Sequence, residues 1–220
     1  MTSVPATAPD RLPLTRDRVL EAAVAYADEH GVAALSMRKL AAELGFEVMS
    51  LYNHVANKQD MFQGMIDRIA GEIEHGDGPW RDAISAMAHS AHEMLRRHPW
   101  APAIWNSHFP GPNRFGHLEW ILRTFSDGGF PDELVYHAYH AVEFHIMGFA
   151  IQEQQYAQSG VGDDLGESQI FEMLSERLPE AQFPNLWTHV RQHMDGEERD
   201  EFVFVLDLLL DGLERLRDDG

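Results

Sequence analysis

The stretch that decides the fold is SMRKLAAELGFEVMSLYNHV, which runs from Ser36 to Val55. Apolar residues recur in it at three- and four-residue spacing, which is typical of helices. Ser36 is a good helix N-cap, and Gly45 favours the positive φ that a sharp reversal of the chain needs. The stretch therefore predicts one short helix over 37–44 and a second over 48–54.

Two pairs of apolar residues predict how these helices pack. Leu40 and Ala41 lie on the inner face of the first helix, where the small Ala41 lets the second helix approach closely. Leu51 and Val55, four residues apart, form the buried stripe of the second helix. Two short helices packed in this way around a tight turn make a helix-turn-helix, a DNA-binding motif.

The second helix then has an outer face, made of Val48, Met49, Ser50, Tyr52 and Asn53. This face is unusually apolar and aromatic for solvent, but it suits the major groove of DNA. Asparagine can hydrogen-bond adenine through two contacts, and Val or Met can contact thymine methyl groups. We therefore expect the face to read base edges. The alternative is a plain helical hairpin whose glycine and caps serve folding alone.

Side chains that suit phosphate contacts surround this face: Ser36, Arg38, Tyr52, His54 and Lys58. The distribution of charge supports that placement, although the chain carries a net −19. Residues 1–60 hold six Lys and Arg against eight Asp and Glu, a net −2, which leaves −17 for residues 61–220. Lys39 and Lys58, the two lysines of the chain, lie in the first part, so Lys39 is also a candidate DNA contact. An acidic protein that ignores nucleic acid remains open on charge alone.

Residues 14–65 resemble the DNA-binding domain of the tetracycline repressor (TetR) family of bacterial regulators. The resemblance is carried by the LxMRKLAAELG pattern of Leu35–Gly45 and by SLYNHVANKQDMF, Ser50–Phe62. The second run matches the family signature LY-x-H-(F/V)-x-(S/N)-K, whose Tyr, His and Lys a generic helix-turn-helix does not require. Many members carry polar residues where this chain has Val48 and Met49, so we expect base reading here to depend more on apolar contacts.

The resemblance implies a specific role for each matching residue. Arg38, Tyr52, His54 and Lys58 are expected on phosphates, with the outer face of the second helix near base edges. It also implies a homodimer whose two DNA-binding domains reach successive major grooves of a palindromic operator, in half-sites about 34–36 Å apart. The implied function is that of a repressor released from double-stranded DNA by a small-molecule ligand.

The whole chain is predicted to be all α-helical, because no Val/Ile/Thr-rich alternating segment indicates a sheet. We divide it into a disordered tail over 1–13, a helix-turn-helix head over 14–62, and a helical ligand-binding and dimerisation body over 63–220. A mobile loop is predicted over 157–168. Further helices are predicted over 16–30, 58–74, 80–98, 114–127, 132–157, 168–178, 184–194 and 197–217.

Two body helices, 132–157 and 197–217, are more apolar around their circumference than a surface helix needs to be. We expect them to pair with their copies in a second chain as a four-helix dimer interface, as in the family that the head resembles. A thick core within a single chain is the alternative.

Aromatic and polar side chains also interleave in the body, as they do in pockets for small, largely apolar or aromatic molecules. The candidate ligand contacts are Trp105, His108, Trp120, His140, Phe144 and His145. Each of them could instead be an ordinary core residue. If a ligand binds, we expect it to shift the helix over 58–74 and so change the spacing of the two heads.

Several classes of protein are disfavoured by what the chain lacks. It has no cysteine, no signal-peptide pattern and no run approaching the about 18 apolar residues of a membrane span, so we expect a cytoplasmic protein. His137 and His140 share a helix face, as do His89 and His92, but without an HExxH or comparable motif we expect neither a metal nor another cofactor. No GxSxG, phosphate loop or paired-acid motif indicates catalysis. Two alternatives stay open: a regulator whose body dimerises without sensing, and an enzyme that uses His and Glu of the body.

Overall fold

The computed structural model describes residues 13–159, 177–194 and 200–219, which are helical and contain no strand. The predicted tail up to residue 12, the predicted loop beyond residue 159 and the predicted helix over 168–178 up to residue 176 lie outside these ranges. The helices are α1 (Arg16–His30), α2 (Met37–Leu44), α3 (Val48–Leu51), α4 (Lys58–Ala70), α5 (Trp80–Arg97), α6 (Pro112–Asp127), α7 (Asp132–Ser159), α8 (Pro184–Met194) and α9 (Glu201–Asp218).

Side-chain caps begin three of the four helices of the head. The side-chain oxygens of Thr15, Ser36 and Asn57 each accept the backbone N–H three residues later, at 3.2, 3.3 and 2.9 Å. A cap of this kind stabilises a helix by about 1 kcal/mol. Gly45 ends α2 with φ 69° and ψ 31°, the left-handed conformation that glycine adopts without strain. The predicted starts and the predicted turn are confirmed.

Two helices are shorter than the sequence predicts. α3 ends at Leu51 rather than His54, because the Leu51 carbonyl accepts N–H groups from both His54 and Val55, at 2.9 and 3.0 Å, which tightens the last turn. α4 ends at Ala70 rather than Glu74. There the Glu74 N–H donates to the hydroxyl of Ser90 on α5, at 2.8 Å, instead of continuing the helical pattern.

A single hydrophobic core runs from the head into the body, and α4 is the helix that both share. α4 packs on α1 in the head and on α6 in the body. Its inner face is completely buried and consists of Met61, Met65, Ile66 and Ile69. The predicted boundary at residues 62 and 63 therefore falls inside a continuous helix.

The body is built around the long helix α7, which packs against α5, α6 and α9. Arg81 of α5 holds one side of α9 through ion pairs with Asp211 at 2.7 Å, Asp207 at 3.5 Å and Glu214 at 3.8 Å. α9 is thus attached to its own body by these ion pairs and by its buried apolar side, while Phe204 and Leu208 stay exposed.

Two imidazoles meet near the start of α6. The Nδ1 atom of buried His117 lies 3.1 Å from Nε2 of His75, whose ring stacks on Trp120 at 4.4 Å between centroids. Burial lowers the pKa of His117 to about 4, and the charges of His75 and Arg114 act in the same direction. The folded protein therefore holds His117 neutral.

This pair predicts a loss of stability in acid. Because the pKa of His117 lies below that of an unfolded histidine, the unfolded chain takes up the proton first as pH falls below about 6.5. Between about pH 7 and about pH 5 this one group should cost about 2 kcal/mol of unfolding free energy per protomer. Urea unfolding at the two pH values measures this loss. Between them, the unfolding free energy of His117→Gln, which keeps a hydrogen-bonding side chain, should fall by correspondingly less than that of wild type. His137 is exposed, so the unfolding free energy of His137→Gln should fall by as much as that of wild type. An equal acid loss in all three proteins would contradict this assignment.

Candidate nucleic-acid interface

The outer face of α3 and the turn that follows it is exposed in the structure. Met49 keeps 72% of its surface in solvent and Tyr52 keeps 42%, while Asn53 is also exposed. Ser50 is partly buried, and Val48 packs against the core along one side. Leu51 and Val55 are completely buried, as predicted for the inner stripe, along with Leu40 and Ala41 of α2.

Three cationic side chains surround this face. Arg38 and Lys39 are exposed on α2, and Lys58 begins α4 with its Nζ 5.0 Å from the centroid of the Phe62 ring. Within the described ranges none of the three takes part in an ion pair. Their positive charge is therefore available to an external anion, although the chain as a whole is strongly acidic.

Two further candidates also have structural roles. The hydroxyl oxygen of Ser36 caps α2, which leaves its hydrogen to donate outward. His54 is partly buried, and its backbone carbonyl accepts a 2.8 Å hydrogen bond from Nη1 of Arg16. The end of the α3 turn is thus held by a residue of α1.

The ion pair that joins α1 to the α3 turn was not predicted from the sequence. Arg16 donates from Nη1 and Nη2 to the two carboxylate oxygens of Asp60, at 3.0 and 2.7 Å. Asp60 also accepts the Ala56 N–H at 2.7 Å, so one carboxylate joins α1, the α3–α4 turn and α4. The hydrogen bond from Arg16 holds the pKa of Asp60 below its usual value. From the sequence Asp60 could be recognised only as an acid in the first turn of a helix.

Three of the six ligand candidates lie in one region of the body. Trp105 is buried, with its Nε1 donating to Glu143 at 3.2 Å. His108 is partly buried and meets the edge of the Phe62 ring, with centroids 5.8 Å apart. The Nδ1 atom of His140 lies 2.8 Å from the Tyr136 carbonyl.

The other three candidates lie elsewhere. Trp120 stacks on His75. Phe144 points to solvent with 67% of its surface exposed. His145 stacks on Phe202 at the start of α9, with centroids 4.7 Å apart, and its Nε2 lies 3.0 Å from the Phe202 carbonyl. The structure therefore brings Trp105, His108 and His140 into one region, whereas Trp120 and His145 contact other residues and Phe144 faces solvent.

The structure adds polar residues beside Trp105 that the candidate set did not include. The guanidinium carbon of Arg114 lies 4.9 Å from the centroid of the Trp105 ring. Burial raises the pKa of Glu143, and it raises the pKa of Tyr139 to about 12 with a contribution from the Glu143 charge. Perturbed ionisable groups gathered in this way mark a candidate ligand site. Glu143 is 29 positions from Arg114 in the chain, so no local spacing could have joined them.

The described residues hold neither a metal cluster nor a membrane span. No group of three or more His, Asp and Glu side chains in the described ranges is placed to hold a metal ion. Among the described helices, none is both long and apolar enough to cross a membrane.

Two family models match successive parts of this chain. Residues 19–65 match the model of the bacterial regulatory proteins of the tetR family, and residues 74–217 match the tetracyclin repressor-like C-terminal domain. The chain belongs to the TetR family. It is 35% identical over 213 residues to the HTH-type transcriptional repressor DrrR1 of Streptomyces coeruleorubidus, covering 92% of this chain and 78% of that protein.

Two solved TetR-family structures are informative neighbours. The Streptomyces coelicolor protein ActR in complex with actinorhodin is 28% identical, with a TM-score of 0.76 over 91% of this chain and 95% of that one. BioQ bound to its natural double-stranded DNA operator is 25% identical, with a TM-score of 0.64 over 91% of this chain and 98% of that one.

Membership confirms the resemblance, the all-helical fold and the helix-turn-helix head that the sequence predicts. The protein is a DNA-binding transcriptional regulator. Because proteins of the TetR family are regulators and not enzymes, the alternative of a helical enzyme is set aside.

The Arg16–Asp60 pair leads to a prediction about DNA binding. Arg16→Gln should weaken binding to operator DNA, selected from a random library by the wild-type protein, by about fivefold, since the partly exposed pair contributes about 1 kcal/mol. The slope of affinity against salt should stay unchanged, because Arg16 would position the α3 turn without touching phosphate. Fluorescence anisotropy titrations at several salt concentrations measure both quantities.

Asp60→Asn is the matched variant for the same pair. It should cause a similar loss, and the double variant should be no worse than either single variant, as expected for one shared interaction. A shallower salt slope in Arg16→Gln alone would instead place Arg16 on the DNA backbone.

Proposed function

We propose that this regulator is a homodimeric, cytoplasmic repressor that binds a palindromic operator and leaves it when a small, largely apolar or aromatic molecule binds the body. The observation that carries the proposal is the presence of two exposed surfaces in one chain. One is the outer face of α3 with unpaired cations beside it, and the other is an apolar face on α7 and α9. A DNA-reading surface and a pairing surface are what a dimeric operator-binding protein requires.

On the DNA, we assign the predicted residues to two roles. Met49 and Asn53, two exposed residues of this face, would contact base edges together with Val48 and Ser50. The phosphate contacts would come from the residues around this face, namely Ser36, Arg38, Lys39, Tyr52, His54 and Lys58. BioQ was solved with its operator and DrrR1 is a repressor, and both likenesses support binding to an operator and repression.

The dimer surface is supported by exposed apolar side chains along α7 and α9. Phe144 and Ile151, seven residues apart, lie on one side of α7 and are 67% and 40% exposed. Phe204 and Leu208, four residues apart on α9, are 58% and 53% exposed. Large apolar side chains exposed along two adjacent helices are typical of a protein–protein interface.

Two glycines on these helices support the same assignment. Gly148 and Gly212 lie inside α7 and α9, where glycine destabilises a helix by about 0.5–1 kcal/mol relative to alanine. A Cβ atom at either position would meet nothing within 4 Å in the protomer, so packing within the chain does not explain them. Close approach of a helix of the second copy explains both glycines, because two helices that cross closely need a small residue at the crossing.

Ligand-dependent release would act through α4. The Asn113 side chain donates to the Asp67 carbonyl at 2.9 Å, and the Arg114 backbone N–H donates to the Asp67 carboxylate at 3.1 Å. The start of α6 is therefore bound to α4 directly. A ligand that shifts α6 would pull on α4, which carries the head, and would change the distance between the two reading faces.

The two roles on DNA predict different consequences of mutation. Asn53→Ala should lower the preference for operator over a random duplex about tenfold per half-site, or about 100-fold for the dimer, because each half-site loses one two-contact base interaction. Weak general binding should remain. Lys58→Gln should weaken binding to both duplexes similarly and lower the salt slope by about 1 per protomer. Anisotropy titrations of both duplexes between about 50 and about 200 mM salt distinguish the two effects.

The control for the charge change is Arg96→Gln, an exposed residue of α5 in the body. It should leave affinity, preference and salt slope as in wild type. An Asn53→Ala protein with unchanged operator preference would remove Asn53 from the reading face.

The apolar face predicts the oligomeric state. Leu208→Glu should convert the dimer to a 25 kDa monomer in gel filtration with light scattering, since an unpaired charge would be buried in the interface. Operator affinity should fall by about 100-fold or more, because the second head no longer binds at high effective concentration. Phe109→Glu is the matched control, since Phe109 is 73% exposed but belongs to neither helix of this face. A wild-type protein that elutes as a monomer would refute the dimer.

A further inference from the structure

Arg114 is a half-buried cation whose guanidinium makes no ion pair with a described residue, although the Glu143 and Asp67 carboxylates are near enough to act on its charge. Its Nη1 donates to the His108 carbonyl at 3.4 Å, and its guanidinium lies against one face of Trp105. Across the described ranges no carboxylate comes within ion-pair distance of this guanidinium. Partial removal from water costs a cation free energy that an ion pair normally offsets. The unused donors form the planar fork that binds two oxygens of an anion at once.

Glu143 faces the same place from α7. Its Oε1 accepts the indole N–H of Trp105, and its Oε2 accepts no hydrogen bond from a described residue. Burial raises the pKa of Glu143, although the nearby charges of Arg114 and His140 oppose this. The Glu143 carboxyl and the Arg114 guanidinium thus share one corner of the body without forming an ion pair. A molecule that offers an acceptor to Arg114 and a donor to Glu143 would satisfy both.

The walls of this corner are aromatic. Trp105 is 5% exposed, and Tyr139 lies close enough to Arg114 and Glu143 for its own ionisation to be affected by both. The ring of Phe62 on α4 lies beyond His108. Flat aromatic side chains around a few polar groups favour a flat aromatic ligand.

We infer that Arg114, Glu143 and Trp105 form the polar end of the effector site, and that the effector is a planar aromatic molecule with an anionic oxygen group. The anionic group binds the guanidinium of Arg114, and a neighbouring hydroxyl donates to Glu143. This inference rests on the proposed ligand-responsive function and names the chemistry of its ligand. It also connects the ligand to the head, because the backbone of Arg114 donates to Asp67 of α4.

A pair of fluorescent probes tests the charge requirement directly. 8-Anilinonaphthalene-1-sulfonate and N-phenyl-1-naphthylamine share the same rings and differ by one anionic group. Titrated into the full-length protein, the anionic probe should bind at least about tenfold more weakly to Arg114→Gln than to wild type, as expected for loss of a charge-assisted contact. Binding of the uncharged probe should change by less than about twofold. Arg114→Lys, which keeps the charge without the fork, should give an intermediate loss.

Arg123→Gln is the matched control, since Arg123 is an exposed arginine on the same helix. It should bind both probes as wild type does. Thermal unfolding and operator binding of each variant check that the fold is intact. Equal weakening of both probes in Arg114→Gln, or equal weakening of the anionic probe in Arg114→Gln and Arg123→Gln, would overturn the inference.

Operator release separates this inference from the proposed function. If the anionic probe binds through Arg114 and displaces the operator, both stand. If it binds through Arg114 without affecting operator binding by wild type, the anion site stands and the proposed ligand-dependent release fails at this site. If the uncharged probe displaces the operator and the anionic probe shows no dependence on Arg114, ligand-dependent release stands and the anion site is wrong.

Discussion

The rest of the structure depends on how α4 is held at two points along one of its faces. Asp60 and Asp67 are seven residues apart, about two helical turns, so both lie on the same side of the helix. Asp60 binds Arg16 and the α3 turn, and Asp67 binds the start of α6. A Cβ at Gly111 would lie 2.3 Å from the Asp67 carboxyl carbon, so this close contact requires a glycine there. The opposite face of α4 is buried in the core, and the helix cannot move without moving both head and body.

Charge and apolar surface are distributed to match these two parts. The body carries nearly all of the net negative charge, which repels phosphate and leaves the head as the surface for DNA. Exposed apolar side chains on the head include Met49 and Tyr52, and those on the body include Phe144, Ile151, Phe204 and Leu208 of α7 and α9. Arg81 holds the charged side of α9 against α5, which turns Phe204 and Leu208 outward. The same body can therefore offer apolar side chains for contact while its negative charge keeps it away from DNA.

The parts that were predictable depend on contacts between near neighbours in the chain. Thr15, Ser36 and Asn57 cap helices because each needs only a backbone N–H three residues away, and Gly45 reverses the chain through its own φ. The length of α3 was not predictable in the same way. It ends where the Leu51 carbonyl accepts hydrogen bonds from the N–H groups of both His54 and Val55. The turn is also held by Arg16 of α1, which donates to the His54 carbonyl. The six ligand candidates shared a composition, and composition carries no information on whether side chains meet.

By itself, the sequence determined the helical class, the helix-turn-helix, the exposure of Met49, Tyr52 and Asn53 and the family to which the chain belongs. Each of these follows from residue types at short, regular spacing. The tertiary structure alone decided that Arg16 reaches Asp60 and that Arg114 comes near Glu143 without pairing with it. It also decided that Trp120, Phe144 and His145 lie away from Trp105. The physical reason is that these contacts join distant parts of the chain, whose distances are set by the packing of whole helices and not by any local pattern of residues.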